Sequence, residues 1–65
     1  METVKVYPHE LSPGQRIVIP AEPRPSIETV SDVYEHPDYG VFAIITEEGA
    51  MPYTAPENSL IEVAD

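Results

Sequence analysis

The segment Glu35-His36-Pro37-Asp38 is the one place in the sequence where several metal-binding residue types stand together. Carboxylate and imidazole groups bind divalent cations, but a site needs three or four such ligands converging on one point, with further residues orienting them. Adjacent side chains in a turn point apart. We therefore interpret this segment as a solvated hairpin tip and expect no metal site there. We interpret His9, between Pro8 and Glu10, in the same way as an exposed loop histidine.

The serine and threonine hydroxyls are candidate nucleophiles, and the chain has no cysteine. A serine or threonine needs an adjacent base to activate it, and no nucleophile elbow or triad spacing surrounds any of them. The serines are Ser12, Ser26, Ser31 and Ser59. Acid–base catalysis also needs a pocket that shifts pKa values, and we expect a domain of this length to be filled by its own side chains. We expect neither enzymatic activity nor a bound cofactor.

The length of 65 residues predicts one domain spanning residues 1–65. A chain this short buries only about 60% of the surface that its unfolded form exposes, and without cysteine it has no disulfide or thiolate metal site to add stability. Its longest apolar run, Val41 to Ile45, is far shorter than the roughly 20 residues of a membrane span. Met1 is followed by Glu2 and not by a basic, apolar leader. We expect a cytoplasmic protein.

The charge balance excludes two classes of partner. Twelve Asp and Glu residues against three Lys and Arg residues give a net charge of −9. Binding to a nucleic-acid backbone or to an anionic membrane requires clustered cations, which this composition does not supply. The acidity serves solubility, attracts a basic protein partner, or imitates nucleic acid.

The charges are also separated along the chain. Lys5, Arg16 and Arg24 lie in the first part, whereas most carboxylates lie in the second half. Tyrosine and methionine are enriched at the centres of interfaces, so an acidic patch that contains them would suit a protein partner. The predicted partner-binding residues are Tyr34, Glu35, Asp38, Tyr39, Glu47, Glu48, Met51, Tyr53 and Glu57. The alternative for Tyr34 and Tyr53 is that they cap the core.

Three segments have the composition of strands. Residues 4–7 alternate and form an N-terminal strand or arm within residues 1–9, residues 16–19 follow a Pro13-Gly14 turn, and residues 41–46 are a buried central strand. Turn-forming clusters on both sides of residues 41–46 predict antiparallel neighbours. Prolines at 20, 23 and 25 predict an exposed, extended loop over residues 20–25, a stiff connector or, alternatively, a ligand for an aromatic groove.

Residues 26–36 are open to two interpretations. Ile27, Val30, Val33 and Tyr34 have helical spacing, and Ser26 could cap a helix. The abundance of β-branched residues favours a strand instead, with a bulge near residues 31–32 that moves the inward face from Val30 to Val33. We prefer the strand.

The C-terminal segment predicts a short strand ending at Tyr53-Thr54, a single 3₁₀ turn over residues 55–59, and a final strand over residues 60–63. Together with the Leu11-Ser12-Pro13-Gly14-Gln15-Arg16-Ile17 opening, the segments 29–33 and 40–46, and the Pro56-Glu57-Asn58-Ser59-Leu60-Ile61-Glu62-Val63 ending, this pattern resembles small SH3-like β-barrel proteins. The resemblance spans about residues 10–64. Its opening and ending are similar to short uncharacterised proteins of actinobacteria and their phages.

The resemblance implies an all-β, five-stranded SH3-like barrel and no particular activity. The implied core residues are Leu11, Ile17, Ile19, Val30, Val33, Phe42, Ile44, Leu60 and Val63. The chain has no tryptophan, unlike the signalling SH3 domains that bind proline-rich helices. The fold hosts many functions. We carry three hypotheses: a non-catalytic protein-interaction module, phage-encoded or accessory, that binds a host partner through an acidic surface; an acidic DNA mimic that inhibits a nucleic-acid-binding protein; and a structural component of a virion or other assembly, which would form a homo-oligomer.

Overall fold

A computed structural model describes residues 3–64 and confirms an all-β fold. The strands are β1 (Thr3–Val6), β2 (Arg16–Ile19), β3 (Ser26–His36), β4 (Val41–Thr46), β5 (Tyr53–Pro56) and β6 (Ile61–Ala64). A 3₁₀ helix, η1 (Pro8–Glu10), joins β1 to the turn before β2. No helix within residues 3–64 is long and apolar enough to cross a membrane.

The strands form one open antiparallel sheet in the order β1-β6-β2-β3-β4-β5. Residues 3–64 contain six strands where the sequence predicted five, because the N-terminal segment pairs along β6 from Thr3 opposite Ala64 to Val6 opposite Ile61. Within this described part of the chain the sheet does not close on itself, since β1 and β5 remain as its two edges.

The ambiguous segment 26–36 is a strand with a bulge, as preferred from its composition. The register shifts between Val30 and Asp32. β3 pairs with β2 over residues 26–29 and with β4 from Val30 onward, so the bulge lies next to the point where its partner changes. A bulge inserts an extra residue and increases the local twist, so one strand can serve two halves of the sheet.

The core lies on the inward face of the sheet. The predicted core residues Leu11, Ile17, Val30, Phe42, Ile44 and Val63 are buried, and Ile19 and Val33 are partly buried against them. Leu60 was predicted wrongly: it is 54% exposed, whereas Ile61 is only 5% exposed. The last strand begins at Ile61, and strand alternation then turns Ile61 and Val63 inward together.

The 3₁₀ turn was predicted over residues 55–59, but η1 is formed by Pro8–Glu10 instead. The strand β5 continues through Pro56, and the chain then reverses in a single turn in which the Ser59 amide donates to the Pro56 carbonyl at 3.1 Å. Pro8 suits the start of η1 because its missing N–H is not needed there. The Glu10 carboxylate accepts a hydrogen bond from the Tyr7 amide at 2.8 Å, which fixes the entry of the chain into η1.

Two loops differ in how firmly they are held. Residues 20–25 are all exposed, as predicted, but the chain bends at residues 22–24, so the loop is not extended over its whole length. The loop after β4 is held against β3 instead. There the Glu47 amide donates to the Thr29 carbonyl at 2.9 Å, and the Gly49 amide donates to the Thr46 hydroxyl at 3.1 Å.

Candidate functional site

A groove of about 670 Å³ opens where three separate parts of the chain meet at one end of the sheet. These parts are the segment from Tyr7 to Leu11, the facing halves of β3 and β4, and the turn after β5. The lining residues are Tyr7, His9, Leu11, Val33, Glu35, Phe42, Glu57 and Asn58.

The floor of the groove is apolar. Leu11 and Phe42 are buried and Val33 is half-buried. Alternation along β3 turns Val33 and Glu35 to the same face, and the register sets Glu35 directly opposite Phe42. The Glu35 side chain therefore leaves the strand beside an aromatic ring, at the border between the apolar floor and solvent.

One wall of the groove is aromatic. The rings of Tyr7 and His9 are stacked, with centroids 5.9 Å apart and an interplanar angle of 8°. The hydrogen bond between the Tyr7 amide and the Glu10 carboxylate determines where this pair stands, because it fixes the backbone of η1. Tyr7 remains 42% exposed, so part of its ring is free to contact a bound molecule.

The second carboxylate of the groove belongs to Glu57, in the turn after β5. Its backbone amide donates to the Gly40 carbonyl at 2.9 Å, which joins this turn to the β3–β4 hairpin. Gly40 has a φ of +63°, a conformation that glycine adopts without strain, and the Glu57 carboxyl group lies alongside it. Neither the Glu35 nor the Glu57 carboxylate accepts a hydrogen bond from another side chain or a backbone amide within residues 3–64.

An apolar floor, an aromatic wall and two carboxylates that accept no hydrogen bond from the described residues suit a cationic side chain. The aliphatic stem of lysine or arginine packs on apolar surface while its charged head remains at the rim. Carboxylates accept charge-assisted hydrogen bonds from such a head, and an aromatic face attracts it. Among the described residues no three His, Asp or Glu side chains come together as metal ligands would.

The structure brings only some of the predicted partner-binding residues to this groove. Glu35 and Glu57 line it, and Asp38 and Tyr39 are exposed in the adjoining β3–β4 turn, where the Tyr39 amide donates to the His36 carbonyl at 3.1 Å. Tyr34 lies on the opposite face of the sheet, because it alternates with Glu35 along β3.

The other predicted residues lie near the far end of β4 or against the core. Glu47, Glu48 and Met51 belong to the loop after β4, six strand residues and therefore roughly 20 Å from the β3–β4 turn. Tyr53 is half-buried against the core and lines a smaller cavity of about 200 Å³. The nine predicted residues thus do not form one patch.

Glu48 has a structural role that the sequence did not reveal. Its carboxylate accepts hydrogen bonds from the Thr29 amide at 2.7 Å and the Thr29 hydroxyl at 3.0 Å. The bond from the Thr29 backbone amide lowers the pKa of Glu48 below its usual value of 4.5, because it stabilises the charged form; the nearby Arg16 charge adds a smaller effect in the same direction. This carboxylate therefore helps to hold the loop after β4 against β3.

Sequence reasoning missed most of the groove lining. The residues it did not assign to a binding site are Tyr7, His9, Leu11, Val33, Phe42 and Asn58. The alternation of Val33 with Glu35 was a usable signal for the floor. The position of Tyr7 beside β3 depends on η1, which the sequence did not predict.

Comparison of the chain with protein-family models, with curated proteins and with solved structures finds no match. The function is therefore inferred from the groove itself.

Proposed function

We propose that this protein is a cytoplasmic, non-catalytic interaction module whose groove binds a basic side chain of a partner protein. The observation that carries the proposal is the pair of carboxylates, Glu35 and Glu57, at the rim of an apolar groove, for which residues 3–64 supply no hydrogen-bond donor. Charge complementarity of this kind speeds association and selects the partner, and it weakens as salt is added.

An SH3-like barrel is the architecture that we propose for the fold. Two features support it: the order β6-β2-β3-β4-β5, in which the last strand returns beside the first strand of the meander, and the bulge that shifts the register of β3. In this interpretation β1 is an additional strand that extends the sheet beyond β6.

The distribution of carboxylates favours a localised binding site over a DNA mimic. A mimic needs charges repeated over one continuous face. Asp32 and Glu35 point to opposite faces of β3 because an odd number of positions separates them, and Glu47 lies at the far end of β4 from the groove. The two groove carboxylates are concentrated beside an apolar floor, which is the arrangement expected of a protein-binding site.

The proposal can be tested by NMR titration with two short capped peptides, Ala-Leu-Arg-Ala and Ala-Leu-Glu-Ala. We expect only the arginine peptide to shift the amide signals of Val33, Phe42 and Asn58, and we expect its affinity to fall as salt rises. The double variant Glu35→Gln/Glu57→Gln should weaken binding by about tenfold or more, as expected when charge-assisted bonds are lost.

The matched control is Asp32→Asn/Glu47→Gln, which changes the net charge by the same amount at exposed positions outside the groove. If both double variants weaken binding equally, the effect is one of total charge and the groove is not the site. Equal binding of the two peptides would also contradict the proposal.

A further inference from the structure

The three cations of this chain have different surroundings. Lys5 lies opposite Glu62 in the register of β1 with β6, and Arg16 is close enough to Glu48 to lower its pKa. Arg24 is exposed in the bent loop between β2 and β3, and within residues 3–64 its guanidinium makes no hydrogen bond. The loop therefore presents an unpartnered cation between Pro23 and Pro25, two rigid apolar residues.

Within residues 3–64 the chain thus holds a cation without a hydrogen-bond partner on one loop and two such carboxylates in one groove. The two features do not meet within one molecule of this structure, because Arg24 makes no hydrogen bond to Glu35 or Glu57. The loop precedes Ser26 at one end of β3, whereas Glu35 stands nine positions further along the same strand, beyond its bulge.

We propose that the loop over residues 20–25 of one molecule docks into the groove of a second copy, with Arg24 between Glu35 and Glu57. This inference rests on the proposed function, since it names the cationic side chain that the groove receives. The flanking prolines would contact the apolar floor and the exposed part of Tyr7, and the guanidinium would donate to the two carboxylates.

A contact between the loop of one copy and the groove of another is heterologous, meaning that the two copies use different surfaces. Such contacts propagate into rings or open chains and do not stop at a symmetric dimer. Each copy carries a net charge of −9, so long-range repulsion opposes the contact and keeps it weak at low salt. The test therefore belongs at about 0.15 M salt, where charges further apart than about 8 Å are largely screened, and at protein concentrations up to the millimolar range.

The decisive experiment mixes two variants that are each blocked on one side. Arg24→Ala removes the cation of the loop and leaves the groove intact. Glu35→Gln/Glu57→Gln removes the two carboxylates of the groove and leaves the loop cation intact. In sedimentation equilibrium, we expect the unmodified chain to exceed its monomer mass of 7.2 kDa increasingly with concentration. Each variant alone should self-associate at least about tenfold more weakly and should therefore sediment close to the monomer mass. Their equimolar mixture should form a species of twice the monomer mass and nothing larger.

Lys5→Ala and Asp32→Asn/Glu47→Gln are the matched controls, because they make the same charge changes outside the loop and the groove. Both controls should self-associate like the unmodified chain. Circular dichroism and amide NMR spectra establish that all variants are folded. An unmodified chain that stays at 7.2 kDa up to millimolar concentration would overturn the inference, and so would a mixture that contains only monomers.

The peptide titration separates this failure from a failure of the proposed function. If the arginine peptide binds the groove while the chain stays monomeric, the groove serves another protein and only the self-docking proposal is wrong. If neither the peptide nor a second copy binds, both proposals are wrong.

Discussion

The backbone of Gly49 lies so close to the side chain of Thr46 that a Cβ atom at position 49 would stand 2.7 Å from the Thr46 hydroxyl oxygen. The same Cβ would lie 2.8 Å from a carboxylate oxygen of Glu28. This close approach accompanies two linked hydrogen bonds. The Gly49 amide donates to the Thr46 hydroxyl, and that hydroxyl donates to the Glu28 carboxylate. The loop after β4 is thereby held against β3.

Gly49→Ala should destabilise the protein by about 1–3 kcal/mol. The added methyl group would push the backbone at position 49 away from the buried Thr46 side chain and weaken the hydrogen bond between them. Urea unfolding should show a lower midpoint with an unchanged slope. The neighbouring substitution Ala50→Ser, at an exposed position, is the control and should change stability by no more than about 0.5 kcal/mol. Equal midpoints for the two variants would contradict the close contact.

The lowered pKa of Glu48 predicts a pH dependence of stability. Because the folded-state pKa lies below the unfolded value near 4.5, the Glu48 carboxylate contributes stability that is present above that value and is lost as the pH falls through the folded-state pKa. Glu48→Gln should therefore be less stable than the unmodified chain at pH 7, and the two should converge in acid. Glu47→Gln, which leaves the hydrogen bonds to Thr29 intact, should track the unmodified chain at each pH. A constant difference for Glu48→Gln down to pH 2 would contradict this role.

Because β6 begins at Ile61, alanine substitutions at Leu60 and Ile61 should lower the stability by different amounts. Ile61→Ala should cost about 2–4 kcal/mol, because it leaves a cavity in the core. Leu60→Ala removes a side chain that is 54% exposed and should cost less than about 1 kcal/mol. The unfolding free energies of the two variants show which of the two side chains faces the core. A larger loss of stability for Leu60→Ala than for Ile61→Ala would contradict this start of β6 and favour the sequence-based prediction that Leu60 belongs to the core.

The hydrogen bond from the Tyr7 amide to Glu10 predicts a link between η1 and the groove. Glu10→Ala should lower the stability by about 1 kcal/mol, as expected for the loss of a capping carboxylate, and it should weaken arginine-peptide binding because the Tyr7 wall is no longer fixed. Glu22→Ala removes the same charge from the exposed loop and should leave peptide binding unchanged. If both variants reduce the affinity equally, net charge and not the position of Tyr7 accounts for the loss.

The sequence by itself determined the fold class and most strand positions. β-branched residues, glycine and proline turns and period-two alternation act locally, so residues 16–19 and 41–46 could be assigned as strands without knowledge of their partners. The bulge near residues 31–32 was also accessible, because Val30 and Val33 can both face inward only if the alternation is interrupted once. The sixth strand, β1, was foreseen only as a strand or an arm, since an edge strand depends on a neighbour that is distant in sequence.

Tertiary structure decided the register of the last strand and the composition of the site. Leu60 and Ile61 are equally apolar, and only the pairing of β6 with β1 and β2 selects which of them faces inward. Glu48 and Glu57 are both glutamates, and the sequence does not distinguish their roles. The fold binds the first to Thr29 and leaves the second beside the groove, because a carboxylate's role depends on which donors the chain brings within hydrogen-bond distance.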